Sequence, residues 1–135
     1  MDIARVRQKY PDAQMFTFGD SKPLCDELLA LVRAGKKTAT CGALSEFEDD
    51  PAAMPKAGRT DIAQTWEGEP AVAIRTVSVE IKAFEDVDEA FALQEGEDDD
   101  LEGWRRGHRS YFERNGGFDP RMKLVCERFE VVEIF

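Results

Sequence analysis

At 135 residues and 42% hydrophobic content, nine Phe among them, the chain can bury one sizeable core but not two; residues 1–135 are read as a single domain, with 1–13 an N-terminal extension. The opening Met1-Asp2-Ile3-Ala4-Arg5 has no apolar signal region and no stretch approaches the ~20 apolar residues of a membrane span, so a cytoplasmic protein without a membrane partner is expected. A net charge of −10 argues against strong non-specific nucleic-acid binding, but ten of the 28 acids fall between Ala83 and Trp104, where there is no Lys or Arg, and the other 18 only match the 18 bases, so a neutral or basic groove elsewhere remains open.

Gln14–Asp20 (QMFTFGD) has the aromatic and β-branched content of a short strand ending at Gly19. Ser21-Lys22-Pro23 then opens a helix, with Ser as N-cap and Pro tolerated in the first turn. Leu24, Leu28, Leu31 and Val32 carry its apolar face, and Gly35 stops it. Thr38–Leu44 is predicted as a strand, and Asp49–Gly58, with Pro51 and Pro55, as a loop. Ile62–Trp66 and Ala71–Ala83 read as strands joined by the turn Glu67-Gly68-Glu69-Pro70. Helices are expected over Val87–Gln94 and Leu101–Arg114, and a long strand over Lys123–Phe135. Short turns link the central strands, which disfavours a parallel doubly wound sheet. The expected fold is α+β, a small, mostly antiparallel sheet or partly closed barrel with helices packed on it.

Cys25, Cys41 and Cys126 are scattered and odd in number, there is one His, and no Cys-x-x-Cys or zinc spacing occurs. Buried reduced thiols are expected, with no disulfide framework, no metal and no cofactor. No phosphate loop, nucleophile elbow or His-Glu-x-x-His is present. What remains for catalysis is lysine and carboxylate chemistry.

Three constellations could carry it. The first is Gly35-Lys36-Lys37-Thr38-Ala39-Thr40. Two lysines after a helix end are favoured there by the negative end of the dipole alone. Alternatively, their mutual repulsion and partial burial lower a lysine pKa towards that of a base or nucleophile, with the Thr38 and Thr40 hydroxyls beside it. In a regular strand Lys37 and Thr40 would face opposite sides, so they converge only if the chain bends near Lys37-Thr38. The second is Gln94-Glu95-Gly96-Glu97-Asp98-Asp99-Asp100. It reads as a solvated loop capping the next helix, or as the source of a carboxylate, Glu95, that pairs with Lys37 and shuttles a proton. It lacks the spacing of an EF-hand. In the third, Leu101, Trp104, His108 and Tyr111 or Phe112 share one face of a helix, with Arg105, Arg106 and Arg109 largely off it. That face is either core, with polar tips satisfied, or a groove wall beside an arginine cluster that meets phosphate.

Taken in order, the Gly35–Thr40 turn, Trp66-Glu67-Gly68-Glu69-Pro70 leading into a strand that ends at Phe84-Glu85-Asp86-Val87, Glu95-Gly96-Glu97, and Trp104-Arg105-x-x-His108-x-x-Tyr111-Phe112 resemble the ASCH (activating signal cointegrator homology) domain family, from about Gln14 to the C-terminus. The resemblance implies a PUA-like fold, a small β-barrel with helices around it and a cleft formed partly by the lysine turn. It also implies RNA-linked or nucleoside chemistry. A short bacterial branch hydrolyses the amide of N4-acetylcytidine, and its lysine, threonine and glutamate match Lys37, Thr40 and Glu95 as expected catalytic residues. Lys36, Thr38, Arg75, Trp104, Arg105 and His108 are expected to bind substrate. This chain is longer than that branch and adds the acidic run and the Trp104/His108 helix. Expected partners are a nucleoside-like small molecule or single-stranded RNA. The alternatives to an amidohydrolase are a non-catalytic RNA- or nucleotide-binding module, whose basic groove would comprise Lys36, Lys37, Arg75, Arg105 and Arg109, and a ribonuclease.

Overall fold

The computed structural model describes residues 2–135. Helix α1 (Ile3–Lys9) is followed by strand β1 (Met15–Phe16), helix α2 (Lys22–Arg33), strand β2 (Ala39–Ala43) and helix α3 (Leu44–Asp49). Strands β3 (Thr60–Gln64) and β4 (Pro70–Ala83), helices α4 (Glu89–Gln94) and α5 (Leu101–Arg114), and strand β5 (Lys123–Ile134) complete the chain, with short 3-10 turns at Pro51–Ala53 and Phe84–Asp86. The sheet order is β1-β3-β4-β5-β2. Only β1 and β3 run parallel.

The α+β expectation holds, and the barrel does not. The five strands form an open sheet whose edges, β1 and β2, are not hydrogen-bonded to each other. Two further differences have local causes. The strand expected over Gln14–Asp20 shrinks to Met15–Phe16, because Phe18 turns into the core and Gly19 adopts φ +79°. The strand expected to reach Leu44 stops at Ala43, where α3 begins; the ring of Phe47 packs over Gly42, where a Cβ would lie only 3.1 Å from it.

Helix ends follow local chemistry. Ser21, Asp88 and Asp100 each accept a backbone N–H and start α2, α4 and α5. At the end of α2, Gly35 (φ +75°) donates to the Val32 carbonyl and Lys36 to the Leu31 carbonyl, a Schellman ending. The helix buries Cys25, Leu28, Leu29 and Val32 against Ala63, Val72, Ile74 and Phe129. Each large aliphatic side chain there contributes about 1.5–3 kcal/mol of burial. A second cluster joins Phe91, Trp104 and Phe112 of α4 and α5 to Phe84, Ala39 and Leu124. Helices α2 and α5 thus cover different parts of the sheet, and a cleft lies where they face each other.

Candidate active site

The turn after α2 and the turn after α4 lie against each other. Thr38 N–H donates to the Gln94 carbonyl at 2.8 Å, and Phe129 N–H donates to the Thr38 carbonyl at 2.9 Å. Gly96 (φ +77°) makes the approach possible, since a Cβ there would lie 2.4 Å from the Lys36 carbonyl oxygen. The chain bends before β2 begins at Ala39, so Lys37 and Thr40 line one cleft of about 370 Å³ together with Glu95, Glu97 and His108.

Lys37 is 1% exposed. Its ammonium donates to Glu95 Oε1 (3.1 Å), Glu97 Oε2 (3.2 Å) and the Glu95 carbonyl (3.4 Å). Burial pulls its pKa down, but the two carboxylates outweigh burial and raise it above the ordinary lysine value. Lys37 is therefore a held cation, not the lowered-pKa base expected from its neighbour Lys36, which points to solvent. Glu95 is equally fixed. Its other oxygen accepts Trp104 Nε1–H at 2.6 Å, the Cys41 thiol at 3.4 Å and His108 Nε2 at 3.2 Å. Burial opposes its charge, yet Lys37, then His108 and the Trp104 N–H, hold its pKa at about 2. In the free protein this carboxylate is occupied on both oxygens, one by the Lys37 ammonium and the other by Trp104, Cys41 and His108.

His108 Nδ1 faces the Trp104 carbonyl oxygen at 2.9 Å while Nε2 faces the Glu95 carboxylate. Both neighbours are acceptors, and only the imidazolium donates from both nitrogens. Burial lowers its pKa, and Glu95 more than compensates, raising it. Trp104 is fully buried, stacked between Phe84 and His108 with ring centroids 5.3 and 4.2 Å away. Trp104 is thus core and a hydrogen-bond donor to Glu95, while His108 reaches the cleft wall. Glu97 is the adaptable member. Burial first, then Glu95, raise its pKa against the pull of Lys37, and its side chain keeps 22% exposure.

Lys36, Thr38, Arg75 and Arg105 are exposed and line no part of this cleft. Thr38 Oγ1 contacts only the Gln94 carbonyl, and Arg75 pairs with Glu130 across β4 and β5. The expected basic groove therefore does not form: Lys37 is neutralised by carboxylates, and Arg75 lies away on the sheet. Glu97, Cys41 and Tyr111 line the cleft without having been assigned a site role from the sequence. Glu97 carried a signal, its place two residues after Glu95 across a Gly. Cys41 and Tyr111 carried only a position on the right strand or helix face. Cys41, Glu95 and His108 each offer one ligand atom, all within 4.8 Å of one another, but Trp104 and Lys37 already engage the carboxylate they would share. All three cysteines are free thiols, and no described helix is long and apolar enough to cross a membrane.

A family model described as "ASCH domain" matches residues 14–133. Two solved structures resemble the chain closely. One is protein EF3133 from Enterococcus faecalis V583, with 34% identity, TM-score 0.84, and coverage of 98% of this chain and 86% of that one. The other is an ASCH domain from Lactobacillus crispatus JV V101, with 29% identity, TM-score 0.81, and coverage of 94% and 84%. Hypothetical protein PH0355, at 16% identity and TM-score 0.57 over 79% of this chain and 93% of that one, shares the fold alone. No curated protein matches.

Proposed function

The chain belongs to the ASCH domain family, and from that premise we propose that it is a hydrolase of small neutral amides, of the N-acylated aminopyrimidine class to which N4-acetylcytidine belongs. The observation that carries this reading is the buried Lys37 ammonium, clamped between Glu95 and Glu97, in the same cleft as the Thr40 hydroxyl. A fixed cation in a low-dielectric wall stabilises negative charge developing on a carbonyl oxygen.

In this scheme Glu95 keeps Lys37 charged and placed. The substrate carbonyl takes up the Nζ hydrogen that Glu97 holds in the free protein, and the released Glu97 acts as base. Thr40 Oγ bonds to the carbonyl carbon, and its proton passes to Glu97. The carbon–nitrogen bond then breaks, and Glu97 returns that proton to the leaving amine. Water cleaves the threonyl ester by the same route, giving the carboxylic acid and free Thr40. Because Lys37 works as the ammonium, activity is expected at neutral pH rather than above the ordinary lysine pKa.

The test is incubation of purified protein with N4-acetylcytidine and chromatographic measurement of cytidine. Wild type is expected to release cytidine, and Thr40→Val to release about 10²-fold less or lower still, while keeping the wild-type melting temperature within a few degrees. Cytidine release by wild type no greater than by Thr40→Val would remove the reading.

A further inference from the structure

Phe18, Gly19, Thr40, Cys41 and Tyr111 line both the Lys37 cleft and a second, adjoining chamber of about 280 Å³. It is built from the two sheet edges, with Phe16 of β1 and Gly42 of β2, and from Glu127 of β5, the register partner of Thr40. Its chemistry is opposite to that of the Lys37 cleft. No Lys, Arg or His lines it among the described residues, whereas the rings of Phe16, Phe18, Phe47 and Tyr111 do. Two buried carboxylates reach it. Asp61 is fully engaged, with both oxygens held by Arg59 (2.8 and 2.9 Å) and Oδ1 also accepting Gln14 N–H. Glu127 is not. Its Oε2 accepts from the Thr76 hydroxyl at 2.6 Å; among the described residues no fully buried side-chain polar atom lacks a partner, so the second oxygen, which has none, keeps some access, and Glu127 lines this chamber.

Resting on the hydrolase reading above, we propose that this chamber holds the amine half of the substrate, a flat heterocycle that stacks on the aromatic walls and presents an N–H to Glu127, with the acyl half beside Lys37 and the scissile bond at Thr40. The arrangement selects against phosphate, because the wall offers an anion no cationic partner and the carboxylates of Glu46, Asp61 and Glu127 repel it. It selects for an exocyclic N–H, because a ligand that covers the accessible Glu127 oxygen without donating to it leaves a carboxylate oxygen desolvated and unpaired. Burial, the largest influence on Glu127, lifts its pKa to about 6 against the Thr76 hydrogen bond, in keeping with a carboxyl that forms no ion pair among the described residues.

Binding of product-like nucleosides, which are not turned over, separates this proposal from the activity. Cytidine and N4-methylcytidine keep an N–H on the exocyclic nitrogen; N4,N4-dimethylcytidine has none. Calorimetric titration of wild type is expected to show the dimethyl compound bound at least roughly tenfold more weakly than the monomethyl one. Glu127→Gln should narrow that gap to about twofold. Equal affinity of wild type for the mono- and dimethyl compounds, or an unchanged gap in Glu127→Gln, overturns the assignment. If Glu127→Gln does not fold, the wild-type comparison alone decides. If N4-acetylcytidine is not hydrolysed but the binding pattern appears, the activity reading falls and the chamber stands.

Discussion

Every hydrogen of the Lys37 ammonium is already committed in the free protein, so this residue supports the site's electrostatics and the fold together. Replacing it by Met leaves Glu95 charged and buried with one cation fewer, and is expected to cost about 3–5 kcal/mol by urea unfolding at pH 7. The pH dependence of Glu127 runs opposite to that of Glu95, whose pKa is lowered. Its folded pKa of about 6 lies above the ordinary 4.5, so its contribution is favourable while it is protonated and is lost as pH rises through 6. Glu127→Gln, which cannot ionise, should therefore gain up to about 2 kcal/mol on wild type at pH 8 relative to pH 4. Equal effects at the two pH values would mean that another group titrates. His108 follows the raised-pKa rule for a base. Stability from its charge is complete below 6.5 and declines as pH passes its higher folded value. An NMR titration of its ring should place the midpoint above 6.5. That Lys37, Thr40 and Glu95 share one cleft was legible in the sequence from the ordered set of motifs that carry them. The direction of the lysine shift was not, because it depends on Lys36 pointing outward and Glu97 pointing inward.

Among the elements, the contact between the two turns is the most demanding. Gly96→Ala meets both a positive φ, costing about 1–3 kcal/mol, and the Lys36 carbonyl. Gly35→Ala has a similar φ but nothing within 4 Å. Thermal melts should therefore rank Gly96→Ala clearly below Gly35→Ala, and the reverse order would mean that the turns do not touch. Helix α5 was readable in place and approximate extent, since Asp100 caps it and Leu101, Trp104, His108 and Phe112 keep its period. Helix α3 was not, because Ala43 at its N-cap makes no side-chain hydrogen bond and leaves no mark in the sequence. Helix α1 was also unread. It is short, and it earns its place by burying Val6 against Ile62 and Ala73, a contact between residues distant in sequence.

For the whole molecule, the −10 charge now has a spatial meaning. Arg75 pairs with Glu130, Arg114 with Asp20 and Arg128 with Glu80, so these bases form no continuous track for a polyanion. Titration with short single-stranded RNA at 0.05 and 0.2 M salt is expected to show weak binding that vanishes at the higher salt; tight, salt-resistant binding would contradict the small-molecule reading. Closure of the barrel was beyond the sequence, because it depends on whether β1 and β2 meet, and strand count does not say. They do not meet, and the gap is lined by both of them. On the binding mode proposed above, a guest lodged there would work as a keystone. It is expected to shield the backbone amides along each rim from solvent deuterium and slow their exchange, while the middle of the sheet, already double-paired, keeps its own clock.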